Sequence, residues 1–208
     1  MAKKTWKKFP YPDKHFAYGG TALKKNWERL HCGDGEPYPD DEAAQDAWRA
    51  YHAGDFADAV AQGLAAGPVG VMVATRAAAV YAAHVEDNDA HRLDILRDAV
   101  ESSELLLKLA PNWANAWYAH ALALGRYSQN ISVVKALAQG LGGKVRDCLQ
   151  RAIQLEPGHA DAHLAMGVYH AEVVDKVGAV VGALSYNARR DAVVEHFETA
   201  RRLHPLSP

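Results

Sequence analysis

Eleven histidines in a 208-residue chain are the first residues to test for chemistry, because neutral imidazole is a metal ligand and a general base. Their spacing argues against a shared ion. His84 and His91 are seven residues apart, as are His163 and His170. Seven residues rise about 10.5 Å along a helix, too far for one ion with nitrogen ligands near 2.0–2.1 Å. His84 and His91 are also expected on different helices. His159 and His163, at i and i+4, share a helical face, but His159 falls at a helix start and no third ligand accompanies them. Capping suits His159, a buried hydrogen-bonded ring suits His163, and His204 suits a helix C-terminus by charge.

Covalent chemistry fares no better. Cys148 sits beside Leu149 on an apolar helix face and reads as core; Cys32 precedes Gly33 with no cation near in sequence to lower its pKa. Ser102 and Ser103 fall mid-helix, without the positioned base a nucleophile needs. Gly142-Gly143-Lys144 lacks the first glycine and the following Ser/Thr of a phosphate loop. No paired carboxylates stand out. The expectation is a protein that is not an enzyme and that uses no cofactor and no metal.

The elements that would position such residues are legible. Apolar residues make up 49% and charged residues 23%, the balance of a globular protein, and the net charge of -2 is not that of a basic nucleic-acid binder. Two cysteines make no disulfide framework, so a reducing, cytoplasmic compartment is expected. The N-terminus has no apolar stretch after its lysines, and no run of eighteen apolar residues spans a bilayer. A chain whose leader had been removed would read the same.

Three amphipathic runs close alike, on Leu109-Ala110-Pro111, Leu155-Glu156-Pro157 and Leu203-His204-Pro205, with the prolines 46 and 48 residues apart. Proline cannot continue a helix, so each marks a helix end. Pro111-Asn-Trp-Ala-Asn-Ala-Trp-Tyr aligns with Pro157-Gly-His-Ala-Asp-Ala-His-Leu, and Val133-Val134-Lys-Ala136-Leu137 aligns with Val180-Val181-Gly-Ala183-Leu184. Two copies agree over a whole unit.

This pattern resembles the tetratricopeptide repeat. The second-helix signature is complete at Phe197, Ala200, Leu203 and Pro205, and close at Leu149, Ala152, Leu155 and Pro157. It is thinner at Ser103, Leu106, Leu109 and Pro111. First-helix positions match at Trp117, Tyr118 and Ala121, and at Met166, Gly167 and Tyr169. An N-terminal copy shows in Ala50–Val60, with Gly54 at the turn. The period exceeds the family's roughly 34 residues, which predicts lengthened first helices over about 113–139 and 159–184. Lengthened units of this kind, and Arg126-Tyr127-Ser128, are similar to regulator-of-microtubule-dynamics proteins and to the tetratricopeptide subunit of some bacterial transporters.

The expected fold is therefore all-α: a TPR-like solenoid of antiparallel helix pairs, about eight helices in four pairs, over residues 42–208. Residues 1–41 form an N-terminal extended arm, rich in aromatics and prolines, with one short helix near Thr21–His31. Asp40 and Asp41 cap the first solenoid helix, Asp87 or Asp89 the helix ending at Leu109, and Gly140, Gly142, Gly143 and Asn187 break pairs. The helix from Val69 to His84 is apolar nearly all round and should be central. The helix Val168–Leu184 carries apolar residues on several faces. That suits a buried helix, an oligomer interface or the wall of an apolar pocket.

What the resemblance implies is a non-catalytic scaffold or adaptor that binds a peptide or partner domain on its concave face. In repeat register that groove offers Asn115, Tyr118, Leu122 and Arg126, then Asp161, Leu164, Val168 and Glu172. The alternative is a carrier of a small apolar ligand, or a transport-associated subunit with a cavity between the long helices. The family's carboxylate clamp for chaperone tails is missing, since its Asn position falls on Ala119 and Ala165. Arg126 remains able to grip a carboxylate, or to make an ordinary salt bridge. The arm is open to three readings. It is a strap packed on the solenoid, a docking arm using Trp6, Tyr11 and Tyr38, or a nucleic-acid contact through Lys3, Lys4, Lys7 and Lys8. The last is disfavoured because the charge run is short. A protein partner, no nucleic acid, no membrane span and a possible homo-oligomer complete the expectations.

Overall fold

The computed structural model describes residues 6–205; Lys3 and Lys4 lie outside them. The described chain is helical, with no strand among those residues, and forms eleven α-helices. They are α1 (Ala22–Leu30), α2 (Glu42–Ala53), α3 (Phe56–Ala65), α4 (Val71–His84), α5 (Asp89–Leu109), α6 (Ala114–Gln129), α7 (Val133–Ala138), α8 (Leu141–Leu155), α9 (Ala160–Val177), α10 (Ala179–Tyr186) and α11 (Arg190–Leu203). The chain divides into two compact units. One takes residues up to Trp27 together with Pro37–Pro111; the other takes Glu28–Glu36 together with Asn112 onward. The stretch before residue 42 thus contributes to both.

Within the first unit, α2 packs on α3, α3 on α4, and α4 on α5. Asp41 caps α2 by accepting the Ala44 N–H at 2.8 Å. The α2–α3 turn falls on Gly54 at φ +84°, a conformation that favours glycine, and the Phe9 ring fills the space a side chain there would need. α4 is buried at ten of its positions, including Met72, Thr75 and Tyr81, which makes it the core of this unit as its composition predicts. The cap of α5 is Asn88, whose side chain accepts the His91 N–H at 2.9 Å, and not Asp87 or Asp89. Glu86 explains this local arrangement. Its buried carboxylate takes the Asn88 N–H at 2.8 Å, the Tyr81 hydroxyl at 3.1 Å and His91 Nδ1 at 2.6 Å.

Within the second unit, α6 packs on α8, α8 on α9, and α9 on α11. The helices close at Leu109, Leu155 and Leu203, two residues before each of the three prolines. The count is eleven where about eight in pairs and one short helix are expected, and the surplus has a specific cause. Each lengthened first helix is broken in two. The first stops at Gln129 because Ser132 starts a new helix, its hydroxyl accepting the Lys135 N–H. The second stops at Gly178, whose φ of +83° and ψ of 160° no helix contains and few residues but glycine adopt. Of the three glycines expected to break the α7–α8 connection, only Gly140 does so; Gly142 and Gly143 lie inside α8. Asn187, at φ +52°, ends α10 in the left-handed region as expected. Helix Val168–Leu184 is thus not one helix but the end of α9 and most of α10.

Candidate functional site: an apolar groove between α6 and α9

The second unit contains a cavity of about 380 Å³. Tyr118, Leu122 and Arg126 face it from α6, one helical turn apart, because residues at i and i+4 share a helix face. Asp161, Leu164, Val168 and Glu172 face it from α9. Seven of the eight residues predicted for the groove therefore line one cavity. α8, which packs on both helices, adds Val145 and Leu149. The size is within the roughly 300–1,000 Å³ of ligand sites, and the lining is mostly apolar with a few polar groups, as such sites are.

Asn115 is the exception. It is 2% exposed, does not line the cavity, and serves the packing of its own unit. Its side chain donates to the buried Glu36 carboxylate and binds His159 Nε2 through Oδ1 at 2.7 Å. His159 in turn caps α9, its Nδ1 accepting the Ala162 N–H at 3.1 Å. The capping role expected of His159 is present, and its second nitrogen is occupied by an amide.

The polar groups of the groove form a chain. Arg126 donates to Gln129 Oε1 at 3.2 Å, Gln129 Nε2 donates to Glu172 Oε1 at 2.5 Å, and Lys176 meets Glu172 at 3.4 Å. The Gln129–Glu172 bond joins α6 to α9. Arg126 does not make the ordinary salt bridge open to it: among the described residues it has no carboxylate partner. Glu172, by contrast, is held by both an amide and an ammonium.

Sequence reasoning missed the residues that the short helices contribute. Val133 and Leu137 of α7 and Tyr186 of α10 line the cavity. Tyr169 lines it too, and its hydroxyl donates to the Tyr186 carbonyl at 2.9 Å, with burial pushing its pKa up to about 12, so it remains a neutral donor. The Val133–Leu137 and Val180–Leu184 runs occupy equivalent places in two repeats, but they do not by themselves mark a helix break, and Tyr186 lies outside them.

Several of the apolar residues that line this groove are uncovered in the unit. Leu164 is 44% exposed and Val168 39%. Val134 of α7, and Val180 and Leu184 of α10, are more exposed still.

No protein-family model matches this chain, and no curated protein matches it.

Most other chemistry-bearing residues are engaged structurally. Cys148 is buried, and desolvation, with a smaller push from Asp147, raises its thiol pKa to about 11. Cys32 is exposed, and both cysteines are free. His163 Nδ1 meets His196 Nδ1 at 3.0 Å, and His196 stacks on His170, whose Nδ1 accepts the Arg189 N–H at 3.3 Å. Among the described residues no group of three or more His, Cys, Asp or Glu is arranged to hold a metal ion. Nor is any described helix long and apolar enough to cross a membrane.

Two of the three residues proposed for a docking arm are engaged within the first unit. The Trp6 ring lies 4.1 Å from Tyr81, and Tyr38 meets Trp27 edge-on at 5.1 Å. Apolar ring burial is favourable enough to hold such a strap. Tyr11 alone is open, at 79% exposed. Lys7 pairs with Asp87, which holds its ammonium pKa up and occupies one charge of the basic run.

Proposed function

We propose that the chain is a non-catalytic binding module of tetratricopeptide type that holds an apolar segment of a protein partner in the α6–α9 groove. One observation carries this reading: side chains from α6, α7, α9 and α10 line one cavity, and among them the apolar Val133, Leu137, Leu164 and Val168 are uncovered in the unit. Uncovered apolar patches rimmed by polar groups mark interaction surfaces. A cytoplasmic location goes with the reading, supported by two free cysteines.

Two charge insertions test it. Val168→Glu and Leu122→Glu each introduce a carboxylate where a partner's apolar side chain would lie. Capture of a stoichiometric partner from native extract should fall at least about tenfold, 1.4 kcal/mol, while an exposed control such as Asp58→Asn leaves it unchanged. Equal capture by all four proteins would remove the groove from the binding site.

A second reading is favoured by the size of the cavity itself. At about 380 Å³ it fits a small apolar ligand without any partner domain, as in a carrier or transport-associated subunit. Native mass spectrometry of the purified protein separates the two, because a carried ligand adds a discrete small mass.

A further inference from the structure

We infer that the groove takes a linear amphiphile with an anionic head, a medium-chain carboxylate, whose head group is gripped by Arg126. The inference rests on the small-ligand reading of the same groove and adds the chemistry of the ligand.

The charged groups at the cavity differ in how much hydrogen-bonding capacity they have left. Four charged residues line it: Asp161, Arg126, Glu172 and Lys176. Glu172 receives Gln129 and Lys176, and Lys176 is committed to Glu172. Asp161 lies at the first turn of α9, eleven residues before Glu172 and so about 16 Å from it along the axis. Arg126 is different. Its guanidinium has five donors in a fork that matches a carboxylate, and its one side-chain bond is the 3.2 Å contact with the neutral Gln129. A half-buried cation with no ion-pair partner among the described residues is complementary to an anion. A second cationic head would be repelled there, and a neutral head would leave the fork unmatched.

The remainder of the site suits a chain. Leu122 stands one turn from Arg126 on the same face of α6, about 6 Å along the axis. Leu164, Val168, Val145 and Leu149 supply the other apolar walls. A head at Arg126 therefore has apolar walls beginning one turn away. Burial of each methylene contributes about 0.8 kcal/mol, so chain length should set affinity and the head group should set selectivity.

The test uses the full chain and three probes of one chain length, each below its micellar concentration: decanoate, decanol and decyltrimethylammonium. Displacement of a groove-bound fluorescent apolar dye is followed for the native protein, Arg126→Gln and Arg126→Lys. Circular dichroism confirms that each variant is folded. In the native protein decanoate should bind at least about tenfold more tightly than the other two. Arg126→Gln should abolish that preference while leaving decanol binding intact, which shows that the cavity persists. Arg126→Lys should retain part of the preference. If all three probes bind alike, or if Arg126→Gln keeps the preference, the head-group assignment is overturned while the small-ligand reading stands. If none of the probes binds the native protein, both fall and the peptide reading is left.

Discussion

Asn115 connects three segments of its unit through two side-chain hydrogen bonds, one to a buried carboxylate and one to the ring that caps α9. Hydrogen bonds to charged groups contribute about 1.5–3 kcal/mol. Asn115→Leu, which keeps the number of side-chain heavy atoms and removes both, should destabilise the protein by at least about that amount in urea unfolding, while leaving groove binding per folded molecule unaltered. A second residue-scale prediction concerns His163, His170 and His196. Desolvation is the leading cause lowering all three, with Arg202 acting on the first, Arg189 on the second and the neighbouring rings on the third; Glu195 and Asp191 oppose it. A histidine whose folded pKa lies below its unfolded value of 6.5 binds fewer protons folded than unfolded as pH falls. Stability should therefore be full above about pH 6.5 and decline on acidification through the range below it. His196→Leu should make the melting temperature less steeply dependent on pH over that window; an unchanged slope would exclude the cluster as its source.

At the scale of elements, Gly178 decides whether α9 and α10 are one helix or two. Its backbone conformation is one that costs a side-chain-bearing residue about 1–3 kcal/mol, so Gly178→Ala should lower stability by that amount in urea melts, or relieve the strain by fusing the helices, visible as added helical signal in circular dichroism. Either result confirms that the break is set at this residue; neither change would refute it. The helix pairs were readable because Leu-x-Pro endings and 3.6-residue periodicity are local signals, and the groove residues came from the register of the repeat that the sequence resembles. The breaks at Ser132 and Gly178 were not readable, because an apolar run such as Val-Val-Gly-Ala-Leu continues a helix and begins a new one equally well. Asn115 was misplaced for another reason. Its partner Glu36 is 79 residues away, and no local pattern announces a hydrogen bond at that separation.

At the scale of the whole molecule, the second unit is not a contiguous stretch. Glu28–Glu36 belongs to it, with the Gly33 carbonyl accepting the Asp161 N–H at 2.9 Å and His31 bonded to Asp34 in buried surroundings. A fragment of residues 112–208 should accordingly melt at a lower temperature than the same unit in the full chain, and a peptide of residues 28–36 added in trans should raise it. Equal melting of fragment and full chain would show that the upstream segment contributes nothing to the unit.

The hydrogen bond between Glu36 and Asn115 also fixes a schedule. A ribosome adds about 5–20 residues per second, so Glu36 emerges on the order of ten seconds before the asparagine that binds it exists. During that wait the first unit can complete α2–α5 while the segment that must later be buried in the second unit stays uncovered. Slowing translation between residues 36 and 115 lengthens the interval in which that segment can be captured by a chaperone or a protease, with no change in the sequence or in the final fold.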